Sequence, residues 1–171
     1  LQQASGDIVV FLDDDIEITS ALVEAHAREY LEGGVDAVVG QVVQSWQQPL
    51  GADTPGYPHG KENDPDAFRF NSGKRMSIKR FIGCNVSFNR SKALDIGGFD
   101  ENFVRVAYRF EAEFAERFVN AGYRIIFQPD ASIRHLKASD GGTRAYGEHL
   151  MTISPSHAVG RYYYMLVAKN V

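Results

Sequence analysis

Three carboxylates in succession, Asp13, Asp14 and Asp15, end an apolar run in "GDIVVFLDDDIEI" (residues 6–18). Like charges side by side repel, and a helix cap accounts for only one of them. In an extended segment Asp13 and Asp15 point to one side and Asp14 to the other. Two carboxylates on one side make a hard oxygen site suited to Mg²⁺ or Mn²⁺, often completed by substrate phosphates. Glu111 is a second candidate. Wound as a helix, residues 107–121 place Ala107, Phe110, Phe114, Phe118 and Ala121 on one stripe, with Glu111 about 50° from its centre. A carboxyl at such a buried margin can have its pKa raised and act as a general base. Glu113 lies about 110° away, four residues before Arg117, where an exposed i,i+4 ion pair is a sufficient account.

His135 ends the stretch "ASIRH"; a lone His is commonly a hydrogen-bonded structural group, but an imidazole can also join two carboxylates around Mn²⁺. No nucleophile-elbow pattern surrounds any Ser or Thr, and Cys84, the only cysteine, has no His nearby in sequence. Covalent catalysis therefore has little support. The glycine-rich stretch "SDGGTRAYG" (139–147) could grip a phosphate through Arg144 or be a surface loop.

The elements that must position these groups read as α/β. Residues 7–12 form a strand that is apolar on both faces, which places it in the middle of a sheet. A helix follows over 19–34, ended by Gly33 and Gly34, and then a second strand over 35–43, together one βαβ unit. Residues 44–77, with "TPGYPHGKENDPD" at their centre, form a long loop, either a functional lid or disordered. The cluster Lys74, Arg75, Lys79 and Arg80 reads as a solvated face, or else as a contact for phosphate or a membrane surface. A strand ending near Asn89, a short helix from Ser91 and a helix over about 108–120 come next. A strand at 123–127, a turn at Pro129–Asp130 and a strand ending at His135 complete the sheet. The tail 148–171, ending "RYYYMLVAKNV", reads as an amphipathic helix.

The 171 residues fit one domain with an ordinary globular composition, 44% hydrophobic and 23% charged. A net charge of −4 argues against a nucleic-acid partner. One thiol fits a reducing compartment, and no apolar run nears the roughly 20 residues of a transmembrane helix. The expected location is cytoplasmic, with peripheral contact at the inner face of a membrane through the basic cluster and the aromatic tail. In open α/β sheets ligands bind beyond the carboxyl ends of the strands, where the Asp cluster falls.

Taken together, "ASGDIVVFLDDDIEI", "GCNVSFNRSKALDIGGFDENF" and "AGYRIIFQPDASIRH" resemble the family 2 glycosyltransferases with a GT-A fold. The resemblance spans about residues 4–136. It implies a mixed, Rossmann-like sheet flanked by helices and an inverting sugar transfer from a nucleoside-diphosphate sugar to a carbohydrate or other hydroxyl acceptor. It assigns a divalent cation, Mn²⁺ or Mg²⁺, to Asp15 and His135, and donor contacts to Asp13, Asp14 and Asp15, with Arg144 beyond the resembling stretch as a further candidate contact to the diphosphate. The acceptor side is implied at Asn85 and Glu113. Glu111 falls where the family carries its catalytic Asp, with Phe110 where a Glu is usual. The family's first strand and nucleotide-base-binding units would precede "ASGD", so the chain reads as the later part of a catalytic domain, and self-association through an uncovered edge is expected. The alternative is a non-catalytic GT-A-like module that binds sugar or a partner. A metal-dependent phosphohydrolase ranks below both, because no phosphatase setting surrounds the Asp cluster.

Overall fold

The computed structural model describes residues 1–138, 146, 151 and 153–168. In chain order the elements are β1 (Ile8–Leu12), β2 (Ile16–Ile18), α1 (Leu22–Glu32), β3 (Ala37–Gln44), β4 (Met76–Ile78), β5 (Asn85–Asn89), α2 (Arg90–Asp95), α3 (Phe110–Asn120), β6 (Ile125–His135) and α4 (Ser156–Val167). A single 3₁₀ turn, Pro65–Ala67, sits in the long connection before β4.

The strands form one mixed sheet in the order β1-β5-β3-β6-β2, with β4 also paired to β6. β3 and β6 are parallel, and β5 runs antiparallel between β1 and β3. The βαβ unit is therefore present, but with β5 inserted between its two strands. β1 is an edge strand and not a central one; Val10 and Leu12 remain 36% and 41% exposed. Its apolar run reflects packing on one face, through Phe11 against Phe88 and Phe99.

Two short strands escape sequence reading. β2 pairs with the end of β6, Ile16 opposite His135, and β4 pairs with its beginning, Ile78 opposite Ile125. Their position imposes a constraint on shape. In a flat sheet β1 and β2 would stand about 19 Å apart, four strand spacings, whereas four residue steps from Leu12 to Ile16 reach at most about 14 Å. The sheet must curl, and a bulge in β6 supplies a bend. The register passes from Gly40 opposite Gln128 to Gln41 opposite Ser132, leaving Pro129, Asp130 and Ala131 without partners on β3. Pro129 has no N–H for the ladder, so a bulge suits it. The turn expected at Pro129–Asp130 is thus a distortion inside one continuous strand.

Successive residues of β5 face opposite layers. Asn85 and Ser87 turn toward α1, where both bond to His26. Phe88 turns toward α3 and lies edge-on to Phe11, Phe81, Phe114 and Phe118 with ring centroids 5.0–6.0 Å apart. Aromatic pairs at such distances add to the stabilisation from burial alone. The 44–77 segment is packed and contributes Tyr57 and Phe68 to this core. Backbone bonds Val42 N–H to Phe70 O and Arg69 N–H to Gly56 O tie it down. Half of the basic cluster serves internal pairs and not an anionic surface: Arg75 binds the buried Glu29 of α1, and Arg80 binds Asp66 and Glu116.

Helix α4 docks on α3 through Tyr164, which donates to Glu116, and on the α2–α3 connection through Tyr163, which donates to Asp100 at 2.7 Å. At Gly160 the helix approaches so closely that a Cβ would lie 2.3 Å from the Tyr108 carbonyl oxygen. Gly160→Ala is expected to lift α4 from this seat and lower stability by about 1–3 kcal/mol, the usual effect of overpacking. Limited proteolysis should then cut preferentially near α4.

Candidate active site

The β1–β2 connection is three residues long, and its geometry separates the carboxylates as the alternation argument expects. Asp13 and Asp15 converge with His135, one ligand atom of each lying within 4.8 Å of the others. His135 Nε2 is 3.1 Å from Asp15 Oδ1 and 3.5 Å from Asp13 Oδ2. Asp14 is exposed and outside this trio.

Two further bonds set the chemistry of the trio. The Gln44 side-chain oxygen lies 3.0 Å from His135 Nδ1, and a carbonyl oxygen can only accept, so Nδ1 carries the hydrogen. Nε2 then turns its lone pair toward the two carboxylates unless a second proton sits there. Asp15 uses Oδ2 to accept from the Ala138 N–H at 2.8 Å, which aims Oδ1 at His135. Three electron-rich atoms facing one another are unfavourable until a cation joins them, and this donor set suits Mn²⁺ or a similar ion. The carbonyl behind the ring is the usual support for a metal-binding imidazole. Burial pushes the Asp13 carboxyl up, with the charge of Asp15 adding to the effect and His135 opposing it.

A cleft of about 290 Å³ opens beside the trio, lined by Asp13, His135 and Gln44 at one end and by Glu111, Gly83 and Cys84 at another. Glu111 stands in the first turn of α3, and its carboxylate accepts a short bond from the Gly83 N–H. Burial raises its pKa to about 7 and the charge of Asp13 pushes the same way, against the Gly83 bond. A carboxyl poised near neutrality in a cleft has the acidity a general base requires. Cys84 lies buried on the same wall, and burial drives its thiol well above the ordinary range, so it is no nucleophile.

Other expected contacts fall elsewhere. Asn85 is wholly buried under α1, both ends of its amide engaged, and does not reach the cleft for an acceptor. Glu113 is buried and not exposed. Arg117 binds its carboxylate and also reaches the Ile96 and Gly98 carbonyls at 2.6 and 2.9 Å, latching α3 to the end of α2. Arg144 lies outside the described residues. Sequence reading missed Gln44 and Gly83, which act through backbone register and a main-chain N–H, and it missed the wall formed by Val106, Ala107, Tyr108 and Arg109. Three non-glycine residues there, Arg105, Ala107 and Arg109, hold left-handed φ angles of 62°, 53° and 78°. Such strain, about 1–3 kcal/mol per residue, concentrates at functional sites.

The sequence pattern of glycosyl transferase family 2 matches residues 1–97, more than half of the chain. A glucosyl-dolichyl phosphate glucuronosyltransferase of Haloferax volcanii is 27% identical over 151 residues, covering 77% of this chain and 43% of that protein. The chain thus spans less than half the length of that relative. Two solved structures share the fold. GalNAc-T7 with UDP, GalNAc and Mn²⁺ superposes with a TM-score of 0.57 at 11% identity, over 82% of this chain and 29% of that one. The mannosyltransferase PcManGT of Pyrobaculum calidifontis, in complex with GDP-Man and Mn²⁺, gives 0.50 at 22% identity over 82% and 35%. The mixed sheet flanked by helices is therefore a GT-A fold.

The raised acidity of Glu111 carries a stability signature. The folded state keeps its proton up to about pH 7, the unfolded chain only to about 4.5, so stability falls as pH rises through that window. Glu111→Gln should leave stability unchanged below pH 4.5 and raise it above pH 7, by at most about 3.5 kcal/mol at about 1.4 kcal/mol per pH unit. Urea unfolding at pH 4 and pH 8 measures the difference.

Proposed function

The chain belongs to glycosyl transferase family 2, and we propose that it carries an inverting transfer of a sugar from a nucleoside-diphosphate donor to an acceptor hydroxyl. The observation that carries this reading is the meeting of Asp13 and His135, which converge with Asp15, and of Glu111 on one cleft. Asp13, Asp15 and His135 would hold a divalent cation, Mn²⁺ or Mg²⁺. When bound there, it offsets the charge that develops on the departing diphosphate. Asp13 also faces the donor, and the family resemblance adds Asp14.

Glu111 takes the acceptor proton. The acceptor oxygen forms its bond to the anomeric carbon on the face opposite the diphosphate, the bond from that carbon to the diphosphate oxygen breaks with its electron pair, and the configuration inverts. The hydroxyl proton ends on the Glu111 carboxylate. The apolar walls around Ile82, Cys84 and Phe110 keep water from competing for the sugar.

The haloarchaeal relative acts, by its name, on a dolichyl-phosphate-linked sugar. On that parallel we propose a lipid-phosphate-linked acceptor that approaches along α4. A groove of about 520 Å³ runs between Tyr108, which also lines the cleft, and Arg161, Tyr162 and Met165. Tyr162, Met165 and Leu166 are 66%, 49% and 69% exposed and share one helical face. Sedimentation with anionic lipid vesicles should drop at least threefold on Leu166→Glu; unchanged sedimentation removes the membrane from this reading.

The central test combines metal and base. Mn²⁺ titration calorimetry on the chain should give binding that Asp15→Ala weakens at least tenfold. Release of nucleoside diphosphate from UDP- and GDP-sugars should fall about 10²- to 10⁴-fold in Glu111→Gln, the usual contribution of a general base. Its rate should climb to a plateau as pH rises past about 7, because the carboxylate must be ionised. Nucleotide-sugar binding without turnover in the wild type would favour the non-catalytic module.

A further inference from the structure

A chain of buried polar groups runs between α1 and the sheet, and the cleft chemistry uses none of it. Tyr30 Oη lies 2.9 Å from Ser87 Oγ, which lies 2.8 Å from His26 Nδ1. His26 Nε2 lies 2.9 Å from Asn85 Oδ1, and Asn85 Nδ2 reaches the Ala131 and Gln41 carbonyls at 2.8 and 3.1 Å. The direction of every bond follows from its far end. Two backbone carbonyls accept only, so the Asn85 amide nitrogen faces them and its oxygen faces His26. That oxygen accepts only, so His26 Nε2 carries the hydrogen and Nδ1 accepts from the Ser87 hydroxyl. Ser87 Oγ in turn accepts from Tyr30. With His26 and Asn85 1% and 0% exposed, no water competes for these positions.

The chain ends on the β6 bulge. Gln41 is the first β3 residue after the register shift, and Ala131 is the last of the three β6 residues that β3 leaves unpaired. Asn85 therefore grips the distortion from both sides. Gly40 admits this grip, because a Cβ there would lie 2.1 Å from the Ala131 oxygen and 2.2 Å from Asn85 Nδ2. Beyond the bulge the ladder runs Gln41–Ser132 to Gln44–His135, so the pairing that sets Gln44 behind the His135 ring is fixed at that point. A slip of one residue would turn His135 to the other face of the sheet.

We propose that the His26–Asn85 relay is a clamp that sets the register of β6 and thereby aims His135 at Asp13 and Asp15. His26, Asn85 and Gly40 are then positioning residues acting through His135, an assignment that rests on the cation-site reading only for its effect on metal affinity. The clamp itself is read from the His135 imidazole by ¹⁵N NMR on the whole chain, in the absence of metal. The wild type should show the hydrogen on Nδ1. Asn85→Asp removes the two donors with little change of volume and should lose that signature, as should His26→Leu. His26→Gln, whose amide N–H can still donate toward Asn85, should restore it. Phe118→Leu, a core substitution away from the clamp, controls for general destabilisation and should keep the signature. Mn²⁺ affinity should follow the same pattern, falling at least tenfold in Asn85→Asp and His26→Leu and staying within twofold in Phe118→Leu. A wild-type signature that survives in Asn85→Asp, or that is lost equally in Phe118→Leu, overturns the clamp. A wild type that binds no Mn²⁺ overturns the cation reading instead, and the imidazole signature still decides the clamp.

Discussion

Two carboxylates and an imidazole nitrogen converge at Asp13, Asp15 and His135. Nothing local favours this meeting. It follows from the curl of the sheet, which brings the short β1–β2 connection over the end of β6. It also follows from bonds that orient two of the three groups: the Ala138 N–H on Asp15 and the Gln44 carbonyl behind His135. Carboxylates brought together in this way are favourable only with a positive charge between them, whether a second proton on the His135 ring or a bound cation. A pair of helix-capping aspartates would need neither bond.

The parts of this arrangement legible in sequence are those that depend on local chemistry. Alternation along an extended segment separates Asp13 and Asp15 from Asp14, and helical spacing puts Glu111 at the margin of an apolar stripe. The parts that stayed hidden depend on pairing across the sheet. An uninterrupted apolar run such as Ile8–Leu12 does not distinguish a central strand from an edge strand whose neighbours cover one face. A three-residue strand such as Ile16–Ile18 has too little pattern to declare itself. Pro129 and Asp130 carry the composition of a turn, and only the pairing with β3 makes them a bulge. Asn85 belongs to the motif by which the family is recognised, yet its role is structural. Burial, invisible in the residue type, decides the matter.

At Glu111 opposing influences give a carboxyl the acidity that a general base requires. Its place in the first turn of α3 favours the ionised form, since helix N-termini stabilise negative charge. The Gly83 N–H does the same. Burial and the nearby Asp13 act against both, and burial is the largest effect, leaving a pKa of about 7. Either extreme would fail. An exposed carboxyl near 4.5 would be ionised but weakly basic, and a wholly isolated one would never release its proton at neutral pH. The coupling to Asp13 also links the two ends of the cleft, because positive charge at the trio offsets the repulsion that Asp13 exerts on Glu111.

Strain in residues 105–109, a buried acid at Glu111 and converging acids at the β1–β2 connection each destabilise the chain, and all three lie around one cleft. Away from it Lys137 is the one other described non-glycine residue with a left-handed φ. Phe88 sits among edge-on rings, Glu29 is paired with Arg75 and Gln128, and Arg117 is fully engaged. Unfavourable terms confined to one place, and offset by a well-packed aromatic core elsewhere, are hard to reconcile with a scaffold shaped for stability alone. They mark the cleft as the place where the fold departs from what its own stability would favour.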